Sequence, residues 1–378
     1  MNALLERLLG KATELTRAGR LRDATAAIQA ALRGHGTAPS PVTAPPPIRD
    51  ADRVIDVEAR EVPAPAQRNA PPPLGAGTFS AARHTDAHGQ RDYKLYLPPG
   101  DHAQPMPLVV MLHGCTQNPD DFAAGTRMNL HALEQGFAVL YPAQPASANP
   151  SGCWNWFKHN HQRRDAGEPA LLAGMVRAVM AQHRIDPARV FVAGLSAGGA
   201  MAAILGDAYP ELFAAVGVHS GLPTGAATDM TTAFSAMRSG SADASGLPLR
   251  GMRAGARPPP GAPRVAPPTI VFHGDADTTV HPANGDKVVQ ACLAAAQVHG
   301  GVNGIEPAPV VEPMSSPGRT SIRRTYRNAA GAVLAEHWLL AGAGHAWSGG
   351  SVQGSYADAQ GPDASLEMLR FFFAQPRR

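Results

Sequence analysis

One Gly-x-Ser-x-Gly occurs in the chain, Gly194-Leu-Ser-Ala-Gly198, between an apolar strand-like run, Arg189-Val-Phe-Val-Ala193, and a small-residue helical run, Ala200-Met-Ala-Ala-Ile-Leu205. A sharp strand-to-helix turn forces the central serine into a strained backbone, and the flanking glycines let neighbouring chain pass without a Cβ clash. Ser196 then offers its hydroxyl as a nucleophile. Such a hydroxyl is weak at neutral pH, so a histidine must take its proton and a carboxylate must orient that histidine. On a scaffold of this kind the partners follow in the order Ser, acid, His at the ends of later strands. After the apolar run Thr269 to Phe272 comes His273-Gly-Asp-Ala-Asp-Thr-Thr-Val280, which offers Asp275 and Asp277. After the run ending near Leu340 comes Gly342-Ala-Gly-His-Ala-Trp347, which offers His345. Asp277 is preferred as the acid because it lies deeper in its loop, whereas Asp275 suits an Asx-type turn. His281 competes as base, but it sits close behind Asp277 in the chain and need not reach Ser196.

Acyl transfer also needs donors for the oxyanion that develops on the attacked carbonyl. The run Leu108 to Leu112 ends in His113-Gly-Cys115, where the scaffold places one donor amide, and the residue after the nucleophile supplies the other. The hole is therefore assigned to the main-chain amides of Cys115 and Ala197. The Cys115 thiol is incidental to that role and either pairs with Cys153 or stays reduced. Trp154 and Trp156, in Cys153-Trp-Asn-Trp-Phe157, and Trp347 are read as walls of an apolar acyl or polymer cleft, with core packing as the competing reading. His159 and His161 lack a third ligand nearby, so no metal is expected, and no cofactor.

These residues need rigid elements behind them. Short apolar runs at 93–97, 108–112, 137–141, 189–193, 214–218, 269–272 and 337–340 read as strands, several buried on both faces. The stretch from Ala170 to Gln182 has helical spacing, with Pro169 suited to a first turn. Strand and helix alternating in this way predict an α/β-hydrolase fold, a mostly parallel sheet with helices on both faces. Residues 1–35 read as two short amphipathic helices with net basic polar faces. These suit an anionic or apolar surface, or a hairpin packed on the main domain or on a partner chain. Residues 36–75 read as a Pro-rich linker, and 76–378 as the catalytic domain, interrupted by a low-complexity insertion at about 239–268.

Composition narrows the function further. The 378 residues are 44% hydrophobic and 17% charged, and 33 basic against 30 acidic residues leave a net charge of +3. That balance argues against an electrostatic nucleic-acid binder. The longest apolar stretch is broken by glycines and Ser196, so no transmembrane segment is expected. Three cysteines are too sparse for a disulfide scaffold, and the N-terminus lacks the apolar core of a secretory signal, so a reducing, cytoplasmic setting is expected.

Taken together, His113-Gly-Cys-Thr-Gln117, Cys153-Trp-Asn-Trp156, Gly194-Leu-Ser-Ala-Gly-Gly199, His273-Gly-Asp-Ala-Asp-Thr-Thr-Val280 and Gly344-His-Ala-Trp-Ser-Gly-Gly350 resemble the poly(3-hydroxybutyrate) depolymerase family of esterases over about residues 76–374. The resemblance implies a Ser196, Asp277, His345 triad, an oxyanion amide at Cys115, and hydrolysis of polyhydroxyalkanoate ester bonds through an acyl-enzyme. It also implies the type I arrangement, with the oxyanion motif ahead of the nucleophile. The chain ends soon after a helix at Ala364 to Phe373, which looks more like intracellular members that act on storage granules, with residues 1–35 as the granule contact. Feruloyl and acetylxylan esterases share much of the motif set and are the alternative. A granule-surface binding protein with a vestigial site is a second alternative.

Overall fold

A computed structural model describes residues 76–100, 104–240, 266–299, 304–306 and 308–375. The segments expected at 1–35 and 36–75, and all but the ends of the 239–268 insertion, lie outside the described residues.

Each apolar run forms a strand. In chain order these are β2 (Gly89–Leu97), β3 (Met106–Leu112), β4 (Ala138–Pro142), β5 (Ile185–Leu195), β6 (Ala215–His219), β7 (Thr269–Gly274) and β10 (Val333–Leu340). Three further strands escape a pattern reading: β1 (Thr78–Asp86), β8 (Val310–Ser316) and β9 (Arg319–Arg327). β1 and β8 are largely exposed edge strands, and β9 (Arg-Thr-Ser-Ile-Arg-Arg-Thr-Tyr-Arg) is rich in charge, so none carries a strong apolar signal. All ten form one sheet in the order β1-β2-β4-β3-β5-β6-β7-β10-β9-β8. The centre, β4 through β10, is parallel, and the flanking pairs are antiparallel. A short parallel pair, β11 (Trp347–Ser348) with β12 (Ala357–Asp358), lies outside the main sheet.

Because side chains alternate along a strand, each central strand feeds two cores. Leu108, Val110 and Leu112 of β3, Val190 and Val192 of β5 and Val271 of β7 pack on α3 (Gly167–Gln182) and α4 (Ala197–Ala208), together with Val288 and Val289 of α6 (Ala283–His299). Val109, Met111, Phe191, Ile270 and Phe272 face the other way. They pack on α1 (Pro119–Thr126), α2 (Met128–Gln135) and α7 (Ala364–Phe373) through Phe122, Met128, Phe371 and Phe372. One further helix, α5 (Met230–Ser239), opens on a capping box made by Asp229 and Thr232. The fold is the α/β-hydrolase arrangement that the alternation predicts.

The loops beyond the strand ends are tied down covalently as well. Cys115, after β3, and Cys153, after β4, are joined in a disulfide with Cα atoms 4.2 Å apart, and Cys292 is free. Among the described residues no helix is long and apolar enough to cross a membrane. The bridge closes a loop with a sequence separation of 38, so Cys153→Ser is expected to cost about 3–4 kcal/mol of unfolding free energy on the chain-entropy argument. Denaturant unfolding of the variant checks this. An unchanged midpoint would mean that the Thr116 N–H to Ser151 carbonyl bond (2.8 Å) and its neighbours already hold the loop.

Candidate active site

Ser196 stands between the end of β5 and the start of α4 with φ 57° and ψ −119°, the left-handed strain its position predicts. The two glycines of the motif are required by close approach. A Cβ on Gly194 would lie 2.4 Å from the Gly198 carbonyl, and one on Gly198 would lie 2.0 Å from the Leu112 carbonyl oxygen. The helix start therefore rests directly on the end of β3. The Ser196 amide donates to the carbonyl of His219 at the end of β6 (2.9 Å), which fixes the turn to the neighbouring strand.

The candidate acid and base follow the ends of β7 and β10. His345 Nδ1 and Asp277 Oδ2 are 2.7 Å apart, while the other carboxylate oxygen accepts from the amides of Thr279 and Val280 at 2.9 Å each. His273, wholly buried at the end of β7, approaches the same carboxylate at 3.5 Å and donates from Nε2 to the Val280 carbonyl (2.8 Å). Burial pushes the Asp277 carboxyl up, but the neighbouring imidazoles of His273 and His345 and the Val280 amide outweigh it and hold the group far below the ordinary carboxylate range. Asp277 is therefore a fixed negative charge under the imidazole. With Nδ1 committed to it, Nε2 of His345 is the nitrogen left to accept a proton. No hydrogen bond joins Ser196 Oγ to His345 among the described residues, in keeping with catalytic contacts that tighten only when substrate binds.

Asp275 and His281 have other work. Asp275 is exposed and accepts from the Gly342 amide (2.6 Å), tying the acid loop to the loop that carries His345. A Cβ on Gly274 would lie 2.2 Å from the Ala343 carbonyl, so these two loops meet in van der Waals contact. His281 accepts from the Ala283 amide (3.2 Å) and donates its own amide to the Met237 carbonyl (2.7 Å), a local cap at the start of α6.

The oxyanion loop is cross-braced. Gln117 accepts from the Gly114 amide (2.9 Å) and donates to Asp121 and to the Ser355 carbonyl, both at 2.9 Å. Ser355 in turn donates to Asp121 from its amide (2.8 Å) and its hydroxyl (2.6 Å). The amides of Cys115 and Ala197 donate to no acceptor of the chain among the described residues, which leaves both available to a bound anion. Behind the loop, His113 is buried and burial lowers its pKa, so it is neutral. It accepts the Gln144 amide at Nε2 (3.2 Å).

The tryptophans correct the sequence reading. Trp154 and Trp347 are 0% and 1% exposed and Trp156 is 5% exposed, so these rings are core and not cleft walls. Both fully buried indoles find internal acceptors, which removes the penalty of burying an N–H. Trp154 donates to the His113 carbonyl (3.0 Å) and so pins the strand end before Cys115. Trp347 donates to Ser365 Oγ (3.1 Å) and stacks on His219 at 5.1 Å. Trp156 packs edge-on to Phe157. His159 and His161 lie in a short 3-10 turn, where His159 meets Arg163 and His161 accepts the Glu168 amide (3.2 Å). Glu168 itself is buried and takes bonds from Gln144 and Asn155, a brace for the Cys153 loop.

Sequence reasoning missed His219 and His273. His219 is fully buried, stacks between Phe272 and Trp347, and accepts the Ser348 amide at Nε2 (3.0 Å). Burial, then the neighbouring His273 and His345, push its pKa down to about 3, so it stays neutral. The available signal for both was a polar ring closing an apolar strand at the edge where the nucleophile sits.

Known proteins resemble this chain. The family described as Esterase PHB depolymerase matches residues 91–303. The chain is 35% identical over 242 residues to poly(3-hydroxyalkanoate) depolymerase C of Paucimonas lemoignei, covering 63% of this chain and 54% of that protein. It is 30% identical over 180 residues to a probable acetylxylan esterase A of Aspergillus fumigatus (47% and 48% covered). To feruloyl esterase B of Neurospora crassa it is 31% identical over 180 residues (46% and 60% covered). The chain thus spans about half the length of the curated relatives it matches. Among solved structures, the acetyl xylan esterase from Aspergillus awamori has the same fold, with a TM-score of 0.54 at 23% identity over 70% of this chain and 94% of that one. Matched over more than half its length, from Arg91 past Ser196 and Asp277, the chain belongs to the PHB depolymerase family of esterases.

Proposed function

We propose that the chain is a serine hydrolase of carboxylic esters, acting on polyhydroxyalkanoate ester bonds. What supports this above all is that the same ends of neighbouring parallel strands carry a left-handed serine after β5 and a His345–Asp277 pair at 2.7 Å after β10 and β7. In this reading His345 Nε2 takes the Ser196 proton as Oγ bonds to the ester carbonyl carbon. Negative charge passes to the carbonyl oxygen, where the Cys115 and Ala197 amides receive it at the N-terminus of α4. The tetrahedral centre collapses, the carbon–oxygen bond to the alcohol breaks, and the imidazolium returns its proton to the departing oxygen. Water then adds to the acyl-enzyme by the same route and frees the acid.

For substrate, the depolymerase relative and the family favour a polyester. A second reading, a carbohydrate esterase, is favoured by the acetylxylan and feruloyl esterase relatives at 30% and 31% identity. The excess of basic over acidic residues within 1–35 supports attachment to a polymer surface. The Cys115–Cys153 disulfide favours an oxidising compartment over the cytoplasmic one that the cysteine count suggests.

Ser196→Ala is expected to abolish turnover of short p-nitrophenyl esters with the fold intact by circular dichroism. Activity above about a thousandth of wild type would overturn the nucleophile assignment. Asp277→Asn should lower kcat by about 10⁴ by imposing the wrong imidazole tautomer, and a loss below about tenfold would remove Asp277 from the role. Incubation with amorphous poly(3-hydroxybutyrate) granules should release 3-hydroxybutyrate. Ferulate or acetate release from plant polysaccharide esters, with none from granules, would favour the second reading.

A further inference from the structure

Beside the reacting groups lies one exposed aromatic that neither the triad nor the core requires. Tyr356 is 46% exposed, and its ring meets that of His345 edge-on at 6.5 Å between centroids. Its hydroxyl lies 3.3 Å from Thr116 Oγ1. The direction of that bond follows from the next one: Thr116 spends its own proton on the Cys115 carbonyl (2.6 Å), so Tyr356 is the donor. The side chain therefore bridges from the base to the residue that follows the oxyanion donor.

The backbone around Tyr356 is built to hold it there. Tyr356 (φ 50°) and Thr116 (φ 65°) are both left-handed, which is uncommon for any residue but glycine or asparagine and a marked outlier for a bulky or β-branched one. Strain of this kind persists only where the surroundings over-determine it. Here they do. Ser355 is bonded to Asp121 and Gln117, the Tyr356 carbonyl accepts the Trp347 amide (2.7 Å), and the Thr116 amide donates to Ser151. Fixed main chain on both sides carries a side chain whose hydroxyl, among the described residues, makes one long contact, to Thr116.

We infer that Tyr356 is a substrate-contacting residue that forms the wall of the leaving-alcohol subsite and selects esters of bulky apolar alcohols. The inference rests on the esterase reading above. With the carbonyl oxygen at the Cys115 and Ala197 amides and the carbonyl carbon at Ser196 Oγ, the alcohol oxygen must face His345, because that imidazole protonates it. The group carried by that oxygen then meets the ring edge-on to His345. In a polyester that group is the hydroxyl end of the remaining chain.

The test uses two ester series, acetates of methyl, n-hexyl and benzyl alcohol, and methyl esters from acetate to octanoate. All acetates share one acyl-enzyme and so one deacylation rate, so kcat/KM isolates the alcohol's contribution to acylation. Tyr356→Asn removes the ring while accepting a left-handed backbone. It is expected to lower the benzyl-to-methyl ratio of kcat/KM about tenfold and to leave the octanoate-to-acetate ratio within about twofold. Tyr356→Phe keeps the ring and should keep the benzyl-to-methyl ratio within about twofold of wild type. An alcohol ratio unchanged in Tyr356→Asn, or an equal fall in both series, would overturn the assignment while wild-type turnover leaves the esterase reading standing. A wild-type chain that hydrolyses none of these esters and takes no phosphonate label at Ser196 would overturn both.

Discussion

The site depends on how closely the start of α4 approaches the end of β3. No side chain fits at Gly194 or Gly198, because carbonyl oxygens of the helix start and of Leu112 occupy the space a Cβ would need. That contact turns the chain sharply enough to put Ser196 at φ 57°, with its hydroxyl at the tip of the turn and the first amides of the helix beside it. It also brings the loop after β3 alongside the helix N-terminus, so the two proposed oxyanion donors, Cys115 and Ala197, come from segments already in van der Waals contact. The proposed nucleophile and the proposed oxyanion hole are thus two results of one packing arrangement.

Around that contact the loops are held by redundant means. The oxyanion loop is tied by the Cys115–Cys153 disulfide, by the Trp154 indole on the His113 carbonyl, and by the Gln117, Asp121 and Ser355 network. The acid and base loops are tied to each other by Asp275 on the Gly342 amide and by the tight passage of Gly274 against Ala343. Buried histidines serve the same end. His219 takes the Ser348 amide and His273 steadies the acid, and desolvation keeps His219 uncharged among its aromatic neighbours. Preorganised polar groups in a water-poor setting stabilise developing charge because they need not reorient as the reaction proceeds.

The sequence alone carried the parallel centre of the sheet, because strands buried on both faces must be almost continuously apolar, as Val-Val-Met-Leu of β3 is. It also carried the turn at Ser196, whose strand, turn and helix are local and sterically demanding. β1, β8 and β9 were not legible, since β1 and β8 are largely exposed edge strands and the charged residues along β9 hide the alternation. The role of a tryptophan was not legible either. An indole beside a catalytic loop looks the same whether it lines a cleft or plugs the floor beneath it, and only packing against His113, Phe122 and His219 places Trp154 and Trp347 in the floor.

What residue order determined, then, was what short-range sterics and periodicity determine: the fold class and the strand-to-helix turn at Ser196, with a preference, no more, for Asp277 over Asp275. Tertiary structure decided everything that requires two distant segments to meet. It joined Cys115 to Cys153, set His345 against Asp277 across a sequence separation of 68, and stretched Tyr356 from the base to Thr116 across one of 240. Such contacts follow from the crossing of strand ends at one sheet edge, and no local pattern encodes the distance between residues so far apart along the chain.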